Sequence, residues 1–152
     1  MAHIALDNAA APAKPDTTSR LAPLGILGLR LTTGALFVTH GLIKYFIFTP
    51  AGTAGYFQSL GLPGWVGLLT MTAEFFGGLA LIFGLLPRLV SALFVPLLLG
   101  AAMAAHIANG FTFSNAGGGW EYPVMWAAVM GMMALLGDGA AAVFPTHRLF
   151  RR

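Results

Sequence analysis

The sequence predicts an all-α integral membrane protein, a four-helix bundle with both termini on the cytoplasmic side. Three observations carry that prediction. Of 152 residues, 57% are hydrophobic and 9% are charged, against about 45–50% and about 25% in a soluble domain. Eight Lys/Arg and five Asp/Glu cannot cover a surface that faces water. Four segments approach the ~20 apolar residues that a helix needs to cross the hydrocarbon core. Finally, Lys and Arg gather in the two tails and in one connection, as the positive-inside rule requires of cytoplasmic segments. The net charge of +3 therefore reflects the tails and gives no reason to expect nucleic acid. With no cysteine in the chain, a structural disulfide, a CxxC relay and thiolate metal ligands are excluded.

Residues 1–20, MAHIALDNAAAPAKPDTTSR, are rich in Ala, Pro and small polar residues and have no apolar period, which predicts a disordered tail. They also lack the apolar run of a signal peptide, so the segment that follows reads as a retained anchor. The first span covers about 24–47, the second about 64–86, the third about 89–108 and the fourth, shorter, about 121–137. Pro87 and Arg88 separate the second and third spans as a tight hairpin, and Pro96 predicts a kink in the third. Asp138, between Gly137 and Gly139, ends the fourth. Lys14 and Arg20, Arg88, and Arg148, Arg151 and Arg152 lie on one side by this count, the last three in a basic tail over 145–152. The opposite face carries two longer loops. In the first, TAGYFQSLGLP, Thr53 could cap a short interfacial helix ended by Gly61 and Pro63. The second, NGFTFSNAGGGW, is rich in glycine.

Ionisable groups inside a bilayer cost on the order of 3 kcal/mol each on insertion scales, so those that remain need a partner or a function. Arg30, Thr33, Phe37, His40 and Lys44 recur at spacings of three and four and form one stripe on the first helix. Gly34 and Gly41 beside that stripe, and Gly77 and Gly78 on the second helix, offer small faces for close packing. Glu74 lies about ten residues into the second span, or about 15 Å deep, and is expected to point into the bundle. His106 and Asn109 at the end of the third span and Glu121 at the start of the fourth share the level of His40 and Lys44, while Arg30 lies below, within reach of Glu74. A polar pocket open to the outer face is therefore expected. Each residue also has a plainer role: Lys44 can snorkel, Arg30 can snorkel or bridge to Glu74, Glu121 can serve the helix dipole, and His106 can bond a loop carbonyl. Trp65, Trp120, Tyr45 and Tyr122 read as interface anchors. His40, Glu74, His106 and Glu121 contain no recognised metal-ligand motif, and no metal site is predicted.

The ordered set LRLTTGALFVTHGLIKYF, GYFQSLGLP, TAEFFGGLALIFGLLPRLVS, HIANGF and GGWEYP resembles the DoxX family of membrane proteins over 24–136. The resemblance implies a four-helix protein of the bacterial inner membrane, over 21–144 here. Some members are subunits of thiosulfate:quinone oxidoreductase, others accompany redox or detoxification enzymes, and most have no assigned activity. Arg30, His40, Lys44, Glu74, His106, Asn109 and Glu121 match the family's recurrent polar positions. The expected function is that of a membrane subunit in a redox complex, acting with a partner protein and binding a quinone. Glu74, His40 and His106 would handle protons, and Arg30, Lys44, Asn109 and Glu121 would hold the ring. A small proton-coupled carrier and a non-catalytic scaffold for a partner enzyme are the alternatives, and a homo-oligomer is compatible with each. The absence of cysteine departs from relatives that carry out thiol chemistry themselves.

Overall fold

A computed structural model describes residues 17–150 of the chain, and every described element is helical apart from one isolated bridge. The expected disordered tail at 1–16, and Arg151 and Arg152, lie outside the described residues. Helix α1 runs over Thr17–Leu42, so four residues expected in the tail are already helical. It ends in a π turn, Ile43–Ile47, closed by Phe48 N–H donating to the Ile43 carbonyl at 3.1 Å. Helix α2, Thr49–Ser59, lies across the end of the bundle; α3 covers Gly64–Phe83 and α4 Pro87–Ala101. A second π turn, Ala102–His106, and a 3-10 turn, Ile107–Asn109, prolong α4. After the glycine-rich loop come α5, Glu121–Leu136, and a short 3-10 helix, Thr146–Phe150.

The segments Leu21–Ile47, Gly64–Phe83 and Pro87–Asn109 are long and apolar enough to cross a membrane. At 16 residues, α5 would extend about 24 Å, short of the ~30 Å core. The apolar pattern is turned outward, as lipid rather than water demands. Leu36, Phe76, Leu93, Met125 and Leu135 are all exposed, whereas soluble proteins rarely leave apolar patches so extensive uncovered. Inside, α1, α3, α4 and α5 each contribute to one core, with Phe37, Leu81, Phe94 and Met130 at its centre. The Phe37 ring stacks on Phe94 at 3.7 Å and on Trp126 at 4.3 Å between centroids.

Close approach of α1 and α3 depends on glycine. A Cβ on Gly34 would lie 2.8 Å from the Gly78 carbonyl oxygen, and one on Gly41 2.9 Å from the Phe75 nitrogen. The small faces expected at Gly34, Gly41 and Gly78 are therefore the helix contact itself.

Three boundaries differ from expectation. Thr53 does not cap α2. The helix starts at Thr49, whose hydroxyl accepts the Gly52 N–H at 3.2 Å, while Thr53 is buried and donates to the Lys44 carbonyl at 3.1 Å. Gly61 does end it, in a left-handed conformation (φ 78). Likewise, α3 stops at Phe83 because Gly84 turns left-handed (φ 71), with Leu85 N–H reaching back to Ala80 O at 2.8 Å in a Schellman-type closure. The hairpin turn is thus Gly84–Leu86, and Pro87 and Arg88 form the first turn of α4, where proline needs no hydrogen-bonded N–H.

The end carrying this hairpin is sealed by the chain after α5. Leu86 N–H donates to Phe144 O at 2.8 Å, Phe144 N–H to Gly84 O at 3.0 Å and Ala140 N–H to Pro23 O at 2.9 Å. The opposite end, here the loop end, carries α2 and the glycine-rich loop.

Candidate functional site

Lys44, His40, Glu74, His106 and Tyr122 converge towards the loop end from α1, α3, the end of α4 and α5. The π turn closing α1 is the first cause. Lys44 lies within it, and the Thr53 hydroxyl of α2 donates to the Lys44 carbonyl and holds the turn in place. Lys44 does not snorkel. Its Nζ donates to both Glu74 oxygens, at 2.9 Å to Oε1 and 2.6 Å to Oε2, and the carboxylate is almost wholly buried. An ion pair so placed balances strong attraction against strong desolvation, and removing either charge strands the other.

His40 and Tyr122 lie within electrostatic reach of the Glu74 carboxylate. The His40 Nδ1 is 2.9 Å from the Leu36 carbonyl. A carbonyl can only accept, so Nδ1 carries the hydrogen and Nε2 keeps its lone pair when the ring is neutral. The ring meets Trp126 edge-on, with centroids 5.3 Å apart. The Trp126 Nε1–H is itself buried and has no acceptor among the described residues.

His106 follows the same logic at the second π turn. Its Nδ1 donates to Gly118 O at 3.0 Å, which leaves Nε2 to accept the Tyr122 hydroxyl at 2.8 Å. Both expected histidines are thus locked by a carbonyl on Nδ1; His40 presents its Nε2, whereas that of His106 is taken by Tyr122. Tyr122, expected only as an interface anchor, is the residue that sequence reasoning missed. Its position one residue after Glu121, at the opening of α5, could have marked it; its chemistry alone could not.

Three expected site residues are committed elsewhere. Asn109 Nδ2 donates to the carbonyls of Ala105, Gly117 and Gly118, at 3.1, 3.0 and 3.0 Å, and so clamps the glycine-rich loop. Glu121 accepts the Phe113 N–H at 2.7 Å and pins the same loop. Arg30 does not reach Glu74. Its side chain runs towards the hairpin end, where Nη1 donates to Asp138 O at 2.7 Å and Nη2 to Ala141 O at 3.4 Å, completely buried under Gly84. Along α1, Arg30 and Lys44 are separated by about 21 Å of helix rise. The expected polar stripe therefore divides in two: one end serves the charged cluster, and the other ties down the loop after α5. Among the described residues, no three His, Asp or Glu side chains come close enough to share a metal ion.

An apolar groove of about 330 Å³ opens between α1 and α3, floored by Gly41 and Met71 and walled by Tyr45, Phe46, Phe75 and Phe76. Gly41 and Met71 are one helical turn from Lys44 and Glu74 respectively, so the groove lies alongside the ion pair and faces lipid.

An all-α membrane protein with a charged cluster buried between its helices near one end is the class that this fold and site define. The chain belongs to the DoxX family, whose model matches residues 25–107. It is 36% identical over 88 residues to a Bacillus subtilis (strain 168) protein named putative oxidoreductase CatD, covering 58% of this chain and 64% of that one. It is 41% identical over 75 residues to the inner membrane protein YqjF of Escherichia coli (strain K12), covering 49% of this chain and 55% of that one. The chain thus spans less than two thirds of the length of either relative. No solved structure matches it.

Proposed function

We propose that the chain is a four-span subunit of a redox complex in the inner membrane, with both termini cytoplasmic, whose cluster at the outer face binds a quinone or quinol. The names of its two relatives, a putative oxidoreductase and an inner membrane protein, agree with this reading. The observation that carries it is the Trp126 Nε1–H, buried beside His40 and without an acceptor among the described residues. A buried donor without an acceptor costs about 1–3 kcal/mol, and a quinone carbonyl would satisfy it.

The residues present fit such a ligand. The Trp126 ring, half-buried beside His40, supplies an apolar surface, its Nε1–H and the third Lys44 N–H are donors for a ring oxygen, and His40 Nε2 is positioned to accept or return a proton. A quinone contributes a two-electron, two-proton couple. The chain's part is to hold the ring away from water and to move protons. Lys44 keeps Glu74 in place as the fixed charge of the site, and the Tyr122–His106 hydrogen bond offers a route from the interior to the glycine-rich loop. Tyr122 thereby takes the place expected for Asn109, whose amide is already spent on the loop.

Quinone content and quinone-linked turnover of the purified complex test this reading. Trp126→Phe should lower quinone affinity about tenfold, the value of one buried hydrogen bond, while changing stability by no more than about 1 kcal/mol. Glu74→Gln should suppress turnover by more than its loss of folded protein accounts for. Normal quinone content and turnover in both variants would overturn the proposal.

The commitment of Arg30, Asn109 and Glu121 to backbone groups favours a second reading, in which the chain is a scaffold for a partner enzyme. That reading expects each polar substitution to lower activity only in proportion to the folded protein lost.

A further inference from the structure

At the hairpin end, on the side of the bundle away from α1, a second groove of about 480 Å³ lies between α4, α5 and the 3-10 helix Thr146–Phe150. Its volume falls in the ~300–1,000 Å³ range of ligand sites. Arg88, Ala92, Ala134, His147, Leu149 and Phe150 are among its walls. Arg88 Nε donates to the Ala134 carbonyl at 2.9 Å, which anchors the guanidinium at the lip; among the described residues its two terminal amino groups donate to nothing. Arg148, between the lining residues His147 and Leu149, turns out of that lining to sit over the Phe144 ring at 5.9 Å. Among the described residues the one carboxylate at this end, Asp138, is already engaged by the Thr146 hydroxyl at 2.6 Å and the Thr146 N–H at 3.0 Å, and stands 3.8 Å from His147 Nδ1. The lip is therefore cationic, and the walls below it are apolar: Leu89, Leu149 and Phe150 line the groove and are exposed.

We infer that this groove is a binding site for an anionic phospholipid, with its phosphate on Arg88 and an acyl chain along Leu89, Leu149 and Phe150. The occupant follows from the pairing of surfaces. A free phosphate would meet Arg88 yet leave the apolar walls uncovered, and a zwitterionic lipid would cover the walls yet bring a competing cation to Arg88. Arginine in a fixed fork, held by its Nε, suits a phosphate better than a mobile point charge does. A phospholipid there would also hold the 3-10 helix against α4, and with it the Asp138–Thr146 contact.

The full-length protein, purified in mild detergent and offered phosphatidylglycerol and phosphatidylcholine in equal amounts, tests the inference by native mass spectrometry. Phosphatidylglycerol should be retained at least about fivefold more strongly, the value of one interfacial cation. Arg88→Gln should abolish the preference and Arg88→Lys should keep part of it. Ala92→Phe, which fills the groove from an exposed position with Arg88 intact, should release the lipid and keeps the test valid if Arg88→Gln fails to fold. Equal retention of the two lipids, or unchanged retention in Ala92→Phe, would overturn the site. Displacement of phosphatidylglycerol by inorganic phosphate at millimolar concentration would overturn the lipid as its occupant.

Discussion

Lys44 and Glu74 show how a single contact separates two meanings of one residue. A midplane carboxylate on α3 was expected from the sequence to be functional, and a lysine near the end of α1 was equally able to snorkel. Their 2.6 Å contact makes each the other's condition for being buried. Either Lys44→Met or Glu74→Gln should therefore destabilise the protein by about 3–5 kcal/mol, whereas Lys44→Met combined with Glu74→Met should recover most of that loss. Denaturation of the three variants in detergent micelles measures the coupling. A double variant that is stable yet no longer binds quinone would separate the pair's role in the site from its role in the fold. Arg30 is the counter-case. It was expected beside Glu74, and the direction its long side chain takes from the helix placed it instead on two carbonyls at the other end.

Among the elements, the contact between α1 and α3 is the most exacting. Gly78→Ala would force a Cβ to within 2.7 Å of the Gly34 carbonyl oxygen, and it should cost about 1–3 kcal/mol by overpacking. Gly28, on the same α1, has nothing within 4 Å of an added Cβ; Gly28→Ala should be neutral or stabilise by up to about 1 kcal/mol through helix propensity. Thermal unfolding of the two variants side by side checks the contrast. The sequence singles out Gly78 as a small face and not Gly28, and the partner helix supplies the reason: it meets one and leaves the other open. The π turns make the same point. Neither IKYFI nor AMAAH announces a widened turn, yet both place a polar side chain of the site, Lys44 in one case and His106 in the other. They form where tertiary contacts, the Thr53 hydroxyl on Lys44 O and the Gly118 carbonyl on His106, hold the helix end open.

At the scale of the whole molecule, the two ends are held by different chemistry. The hairpin end depends on Asp138. Burial raises its carboxyl pKa, but the Thr146 hydroxyl and N–H, the Arg88 backbone and the Arg88 charge together bring it below its ordinary 3.8. A carboxylate whose folded value is depressed stabilises the fold above its unfolded value, and that contribution disappears as pH falls through the folded one. The difference in melting temperature between the wild type and Asp138→Asn should thus be full at pH 6 and shrink below about pH 4; a constant difference would mean that Asp138 acts as a neutral hydrogen-bond acceptor. The sequence by itself determined the membrane setting, the helical class, three of the four spans expected from it and the convergence of His40, Lys44, Glu74 and His106 towards one end. It could do so because hydropathy, helical period and alternating direction are properties of the chain alone. The tertiary structure alone decided that Lys44 meets Glu74, that Arg30, Asn109 and Glu121 serve loops, and that Tyr122 completes the cluster. Those outcomes turn on the path of long side chains and on which backbone groups the folded loops leave in need of a partner, and no spacing along the sequence records either.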